Sequence, residues 1–184
     1  MHFKDIRDFV AFLEEKGDLR RISTPVSWDL EITELADRMV KSGGPALLFE
    51  NVEEYDIPVL INTFGTHQRM AWGLGVEHIE ELTERVRQLL GLRHGPPPRL
   101  RGKARALGDL LGMARSQPTM IKRASCQEVV LTGEDADLNI LPALKCWPLD
   151  GGRYITFPLV VTRDPESGRR NVGTYRMQIY DSHT

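Results

Sequence analysis

The sequence predicts an α+β protein in which an N-terminal α/β domain precedes a region of extended strands. Over the first 90 residues, apolar positions with helical spacing alternate with short apolar runs, and strand-type patterns follow residue 125. The composition, 41% hydrophobic and 27% charged, is typical of a globular protein and argues against a disordered or disulfide-stapled chain. A length of 184 residues suffices for one large domain or two small ones.

Three helices are predicted from apolar residues spaced three and four apart. The first begins near Asp5 and ends at Gly17, and its apolar residues are Ile6, Phe9, Val10 and Leu13. The second stops at the glycine pair of residues 43–44, and its apolar residues are Ile32, Leu35, Ala36, Met39 and Val40. The third runs to about Leu90, with Ile79, Leu82, Val86 and Leu89 on its apolar face.

Short strands are predicted between these helices. Residues 19–22 form an extended run that precedes Pro25, and residues 46–50 and 58–62 are apolar runs bounded by turn residues. Short apolar runs bounded in this way favour buried strands. Helices and strands therefore alternate within the predicted first domain, which we assign to residues 1–115.

The end of that domain is basic. Residues 91–123 carry eight Lys and Arg against one Asp, with three prolines at residues 96–98 and no aromatic residue. We interpret the stretch from about residue 91 as a solvated linker with one helix near residues 104–115, and expect no nucleic-acid partner. The alternative is a basic phosphate- or nucleic-acid-binding protein, whose binding would fall steeply with salt.

A long β-hairpin is predicted in the second domain, residues 116–184. Ile155, Phe157, Leu159 and Val161 alternate with other residues, residues 164–168 supply a turn, and residues 171–181 form the returning strand. That strand groups an amide, a glycine, a hydroxyl, a phenol and a guanidinium, at Asn171, Gly173, Thr174, Tyr175 and Arg176. In an extended strand Asn171, Gly173 and Tyr175 share one face, and Thr174 and Arg176 the other.

Other classes receive little support from the sequence. No apolar run reaches 18 residues, so no integral membrane segment is expected. The only cysteines, Cys126 and Cys146, are too few for a disulfide framework and favour a reducing, cytoplasmic location. The five histidines show no helical spacing typical of metal ligands.

Several motifs, in order, resemble the UbiD-type decarboxylases, the 3-polyprenyl-4-hydroxybenzoate carboxy-lyase family. They are FKDIRDF at residues 3–9, GDLRRI at 17–22, GGPALLFEN at 43–51, NTFGT at 62–66, LP at 141–142, CWPLD at 146–150 and NVGTYR at 171–176. The resemblance covers essentially the whole chain but only the N-terminal part of a family member. We therefore expect a piece of a longer enzyme that is inactive alone.

The resemblance implies an N-terminal α/β domain followed by the start of an FMN-binding split β-barrel. It implies that Asn171 binds a metal, that Thr174, Tyr175 and Arg176 contact prenylated FMN, and that Arg176 is catalytic, acting beside two glutamates located past Thr184. The implied cofactors are prenylated FMN and Mn²⁺ or another divalent cation, with K⁺ as a further candidate. The implied reaction is non-oxidative decarboxylation of an aromatic or α,β-unsaturated acid.

The particular acid is left open by the sequence. 4-Hydroxy-3-polyprenylbenzoate of ubiquinone biosynthesis is one candidate, although Thr174 stands where members of that pathway have an aliphatic residue. A homo-oligomer is expected for the full-length protein. A further alternative is a non-catalytic binding or oligomerisation module that docks a partner through the open edge of the hairpin.

Overall fold

The computed structural model describes residues 2–91, Gly108 and residues 120–184. The predicted linker helix near residues 104–115 lies outside the described residues, except for Gly108. The prolines at 96–98 and the predicted domain boundary near residue 115 also lie outside them. Two compact units are distinguished, one formed by residues 3–66 with 131–184, and the other by residues 1–2 with 67–130. The helices and small sheets confirm the predicted α+β class.

The first helix, α1 (Ile6–Glu15), forms where its apolar spacing predicts. Asp5 caps its N-terminus, because the side chain accepts hydrogen bonds from the backbone N–H groups of Arg7 and Asp8. Gly17 ends it with φ +72°, a left-handed conformation that favours glycine. The chain then enters strand β1 (Leu19–Ile22).

Helix α2 (Glu31–Ser42) and strands β2 (Ala46–Phe49) and β3 (Val59–Ile61) also form where they are predicted. Gly43 adopts a left-handed conformation directly after α2, as the predicted stop signal requires. The sheet has the order β1-β2-β3, with β1 parallel and β3 antiparallel to β2. The central strand β2 is therefore paired on both sides.

The core of this unit joins residues that are distant in sequence. Its buried members are Val26, Ile32, Leu47, Phe49, Val52 and Leu144. Leu144 belongs to the C-terminal part of the chain, and its carbonyl accepts a hydrogen bond from the backbone N–H of Tyr154. The core thus connects the β1-β2-β3 sheet to the segment that leads into the later strands.

In the other unit, the described residues 67–91 form helices α3 (His67–Gly73) and α4 (Glu80–Gly91). Helix α4 confirms the third predicted helix. Helix α3 is not predicted from the sequence, because its seven residues include the fully buried Arg69 and give no apolar stripe.

The prediction of strands after residue 125 is wrong for residues 125–140. Three short 3₁₀ turns form instead, at Ser125–Gln127, Gly133–Asp135 and Leu138–Ile140. The apolar residues Val129 and Val130 are exposed rather than packed on a sheet. An apolar run without a partner strand is not stabilised in an extended conformation, because the stability of a strand comes from packing against its neighbours.

The predicted hairpin forms as two ribbons instead of one. Strands β4 (Arg153–Ile155) and β7 (Met177–Ile179) pair antiparallel, as do β5 (Leu159–Arg163) and β6 (Arg170–Thr174). Between the ribbons, residues 156–158 oppose residues 175–176, so three residues face two. Pro158 lacks an N–H for the ladder, and the extra residue shifts the register as a β-bulge does.

Candidate functional site

Strand β6 carries the first predicted site residues in regular register. Asn171 is opposite Thr162, Gly173 is opposite Val160 and Thr174 is opposite Leu159. Successive residues of a strand point to opposite faces, so Asn171 and Gly173 share a face and Thr174 lies on the other. This agrees with the alternation predicted from the sequence.

Tyr175 follows the end of β6 and covers Gly173. A Cβ atom built on Gly173 would lie 2.6 Å from Cε2 of the Tyr175 ring. Glycine is therefore the residue that lets the half-exposed phenol lie against the strand. Tyr175 and Gly173 occupy the same face, as predicted.

Arg176 lies in the break between β6 and β7 and pairs with Asp150. Its Nη2 donates to Oδ2 of Asp150 at 2.6 Å, and its Nη1 donates to Oδ1 at 3.3 Å. The Asp150 side chain is 13% exposed and that of Arg176 is 40% exposed. Two N–H donors of one guanidinium therefore bind both oxygens of one carboxylate, a geometry that fixes orientation as well as distance.

An aromatic ring contacts the same guanidinium. The Cζ atom of Arg176 lies 3.7 Å from the centroid of the Tyr154 ring. The Tyr154 hydroxyl donates to Oε1 of Gln178 at 3.0 Å, and residues 154 and 178 are opposite each other in the β4–β7 ribbon. The arrangement is a cation–π contact whose ring is held by the sheet.

The pair shifts the protonation equilibria of both partners. The hydrogen bond from Arg176 is the largest cause that lowers the pKa of Asp150, and backbone hydrogen bonds from Trp147 and Cys146 act in the same direction while burial opposes them. The pKa of Arg176 is raised above its ordinary value, chiefly by the hydrogen bond with Asp150. Both groups are therefore charged at neutral pH.

We expect the Arg176–Asp150 pair to survive mild acid. Because the pKa of Asp150 is depressed in the folded state, the pair stabilises the fold above the ordinary Asp value of about 3.9, and this contribution is lost as pH falls through the lower, folded value. A pH titration of the Asp150 carboxyl ¹³C shift should give a midpoint below that of an unstructured Asp. In Arg176→Gln the midpoint should rise.

The control in this titration is Asp164. Its pKa is also lowered, but by hydrogen bonds from the backbone of Ser167 and Glu166 in the hairpin turn. Its midpoint should not respond to Arg176→Gln. Equal midpoints for Asp150 in the two proteins would show that Arg176 does not hold the carboxylate in solution.

Asn171 lies apart from this pair, beside the hairpin turn. It contributes to an open groove of about 480 Å³ whose other lining residues are Thr162, Arg163, Asp164, Arg169 and Arg170. Among residues 2–91, 108 and 120–184, no cluster of three or more His, Cys, Asp or Glu side chains could hold a metal ion. Asn171 therefore contributes one neutral amide side chain to a basic groove.

Asp150 and Tyr154 are not predicted as site residues from the sequence. Asp150 lies in the CWPLD motif, but its contact with Arg176 spans 26 positions. The contact depends on the break between β6 and β7, which residue spacing does not reveal. The signal available was the presence of Asp150 and Arg176 in two motifs of one family.

Two family models match the chain. The 3-octaprenyl-4-hydroxybenzoate carboxy-lyase N-terminal domain matches residues 10–89, and the 3-octaprenyl-4-hydroxybenzoate carboxy-lyase Rift-related domain matches residues 119–184. The chain belongs to the UbiD family of carboxy-lyases, which confirms the resemblance found in its motifs.

Individual relatives match nearly the whole of this chain. An uncharacterized protein of Archaeoglobus fulgidus is 46% identical over 184 residues, which are 100% of this chain and 37% of that protein. The UbiD-class enzyme HmfF from Pelotomaculum thermopropionicum, solved in complex with FMN, is 29% identical with a TM-score of 0.71, over 96% of this chain and 35% of that chain.

A third relative is the vanillic acid decarboxylase of Sedimentibacter hydroxybenzoicus in its closed form. It is 28% identical with a TM-score of 0.74, over 99% of this chain and 36% of that chain. The chain thus spans little more than a third of the length of these relatives. Among its described residues, no helix is both long and apolar enough to cross a membrane.

Proposed function

We propose that this chain is the N-terminal region of a prenylated-FMN-dependent decarboxylase acting on an aromatic or α,β-unsaturated carboxylic acid. The observation that carries the proposal is the held guanidinium of Arg176, next to Thr174 and Tyr175, in a chain of the UbiD family. HmfF, a member of this class, has been solved with FMN and, in an evolved dimeric form, with prFMN. Strands β4–β7 would begin the split barrel.

The donor groups on β6 suit a cation bound to a phosphate. Asn171 offers a neutral amide oxygen of the kind that Mn²⁺ and Mg²⁺ accept, but such ions take about six ligands, so most must come from other groups. Arg163 and Arg170 line the same groove and would repel a bare cation. They favour a cation that is bound together with an anionic phosphate. The same condition applies to K⁺.

The other face of the β5–β6 ribbon suits an aromatic cofactor. Leu159, Val161 and Val172 are exposed there and share that face with Thr174. Exposed apolar side chains beside a hydroxyl can cover a flat ring system and hydrogen-bond to its polar edge. Thr174 would therefore contact the flavin from this face. Tyr175 and Asn171 belong to the opposite face, where Tyr175 would contact another part of the cofactor and Asn171 would bind the cation.

The cofactor, when bound, supplies the electron sink that loss of CO₂ requires and that no side chain provides. Arg176 stays protonated at any working pH, so it cannot be the proton donor. Its guanidinium can bind the substrate carboxylate and keep it oriented until CO₂ leaves. Its positive charge would also lower the pKa of a neighbouring glutamate and hold it ionised until protonation is needed.

Vanillic acid decarboxylase among the relatives favours an aromatic acid as substrate. 4-Hydroxy-3-polyprenylbenzoate stays one candidate within that class. Homo-oligomerisation of the whole protein and a cytoplasmic location are parts of the same proposal. We further propose that the catalytic glutamates and the other metal ligands come from sequence that the relatives carry outside the matched region.

The test compares the 184-residue chain with an extended polypeptide that continues past Thr184 to the length of the relatives. Both are titrated with prenylated FMN and Mn²⁺, with flavin absorbance and CO₂ release from aromatic and acrylic acids as readouts. We expect flavin binding and CO₂ release only from the extended polypeptide. Asn171→Ala in that polypeptide should weaken Mn²⁺-dependent flavin binding.

Asn51→Ala is the matched control, because it removes an exposed amide that follows β2 and hydrogen-bonds to the carbonyl of Ser23 at 3.4 Å. It should leave the Mn²⁺ dependence unchanged. Absence of flavin binding by the extended polypeptide at every Mn²⁺ concentration would contradict the proposal. CO₂ release from the 184-residue chain alone would contradict the prediction that its active site is incomplete.

A further inference from the structure

The position of Arg176 is not determined by its own backbone. It lies between β6 and β7, outside the regular pairing of either ribbon. An arginine side chain in such a segment has many rotamers, and ordering it costs up to about 2 kcal/mol of conformational entropy. What orients the guanidinium must therefore be its neighbours.

The first neighbour, Asp150, is itself anchored to the core. Its Oδ2 accepts the backbone N–H of Trp147 at 3.2 Å, and its own N–H donates to the carbonyl of Trp147. The preceding residues are bound to the start of α2, because the carbonyl of Cys146 accepts from the Thr33 hydroxyl at 3.2 Å. The carboxylate is thus fixed through a short loop to a helix whose Ile32 packs in the core.

The second neighbour, Tyr154, is fixed by strand pairing. Its backbone N–H donates to the carbonyl of the core residue Leu144 at 2.9 Å, and its hydroxyl donates to Gln178. The ring face is presented to the guanidinium from a position that the β4–β7 ladder determines. Asp150 and Tyr154 therefore approach Arg176 from separately anchored parts of the fold.

We propose that Asp150 and Tyr154 are positioning residues that hold the Arg176 guanidinium in the orientation needed to bind the substrate carboxylate. This rests on the proposed function. Asp150 fixes the guanidinium through two hydrogen bonds, and Tyr154 supports its flat face. The side chain is ordered before substrate arrives, so its conformational entropy is not lost on binding.

A second arginine–carboxylate pair in the same unit shows what an ordinary surface pair is like. Arg21 donates to both oxygens of Glu14, at 2.7 and 3.1 Å, and the two side chains are 44% and 47% exposed. Exposed pairs of this kind contribute little and are screened by salt. The Asp150 carboxylate is much less exposed and hydrogen-bonded to backbone, so Glu14→Gln serves as the matched control.

The first experiment measures the order of Arg176 by NMR in the 184-residue chain without flavin, assigning its guanidinium signals with Arg176→Lys. In Asp150→Asn, which keeps the shape of the side chain but loses its charge, rotation about the Nε–Cζ bond should become roughly tenfold faster. Tyr154→Leu should remove the ring-current shift of the guanidinium, and Tyr154→Phe should retain it. Glu14→Gln should alter neither.

The second experiment uses the flavin-loaded extended polypeptide. Asp150→Asn should lower kcat for decarboxylation by roughly 100-fold, because the guanidinium is misplaced, and change the flavin Kd by less than about threefold. Asp150→Glu should recover part of kcat, since it restores the charge. Glu14→Gln should leave kcat unchanged.

Each outcome separates the positioning role from the decarboxylase assignment. Unchanged Arg176 signals in Asp150→Asn and Tyr154→Leu would overturn the holding of the guanidinium, whatever the flavin assay gives. Changed signals with unchanged kcat would overturn its role in the reaction. The NMR signals could change while the unsubstituted extended polypeptide binds no flavin. That result would reject the proposed function, and the Arg176–Asp150 pair would then have only a structural role.

Discussion

Replacing Phe49 with alanine is expected to lower the free energy of unfolding by about 3–5 kcal/mol. Phe49 is fully buried at the end of the central strand β2, opposite Ile22 on one side and Val59 on the other. It belongs to the same core cluster as Ile32 and Leu144, so the cavity would open where both parts of the unit meet. Domains are typically stable by about 5–15 kcal/mol, so much of the fold's stability would be lost.

Urea unfolding followed by circular dichroism measures this effect, with Phe157→Ala as the matched control. The Phe157 side chain is 77% exposed, so its removal should cost no more than about 0.5 kcal/mol. Should Phe49→Ala fail to fold, Phe49→Leu leaves a smaller cavity and should cost about 1–1.5 kcal/mol. Equal losses for Phe49 and Phe157 would contradict the location of the core.

The elements that the sequence predicts best are those with strong local signals. Helices α1 and α2 carry apolar stripes and end at Gly17 and Gly43, both with positive φ, and β2 is a four-residue apolar run. Helix α3 lacks such a stripe. The exposed Val129 and Val130 give a strand-like signal without a strand, because local pattern does not reveal whether a partner strand is present.

The candidate site is predictable only in part for a related reason. Asn171, Gly173 and Thr174 lie on a regular strand, so their faces follow from alternation. The break at residues 175–176 arises because three residues on one side, 156–158, lie opposite only two on the other. The sequence of one strand alone does not reveal this difference in number. The contacts of Arg176 with Asp150 and Tyr154 follow from that break, so they are not predictable from the sequence.

Replacing Arg176 with glutamine is expected to lower kcat for decarboxylation by the flavin-loaded extended polypeptide by about 10²–10³-fold. Glutamine keeps hydrogen-bonding capacity but loses the positive charge and the two-donor fork. Arg176→Lys restores charge without the fork, so it should recover only part of the rate. Steady-state kinetics, together with flavin binding for each variant, separates this loss from a failure to bind cofactor.

Arg21→Gln is the control for Arg176→Gln, because Arg21 pairs with Glu14 and Glu50 on the surface and contacts none of the proposed site residues. Its kcat should stay within about twofold of the unsubstituted protein, as expected for exposed pairs. If Arg176→Gln also retained its rate, the guanidinium would have only a structural role. If Arg176→Lys recovered the full rate, charge alone would suffice, and the fixed orientation provided by Asp150 and Tyr154 would be unnecessary for catalysis.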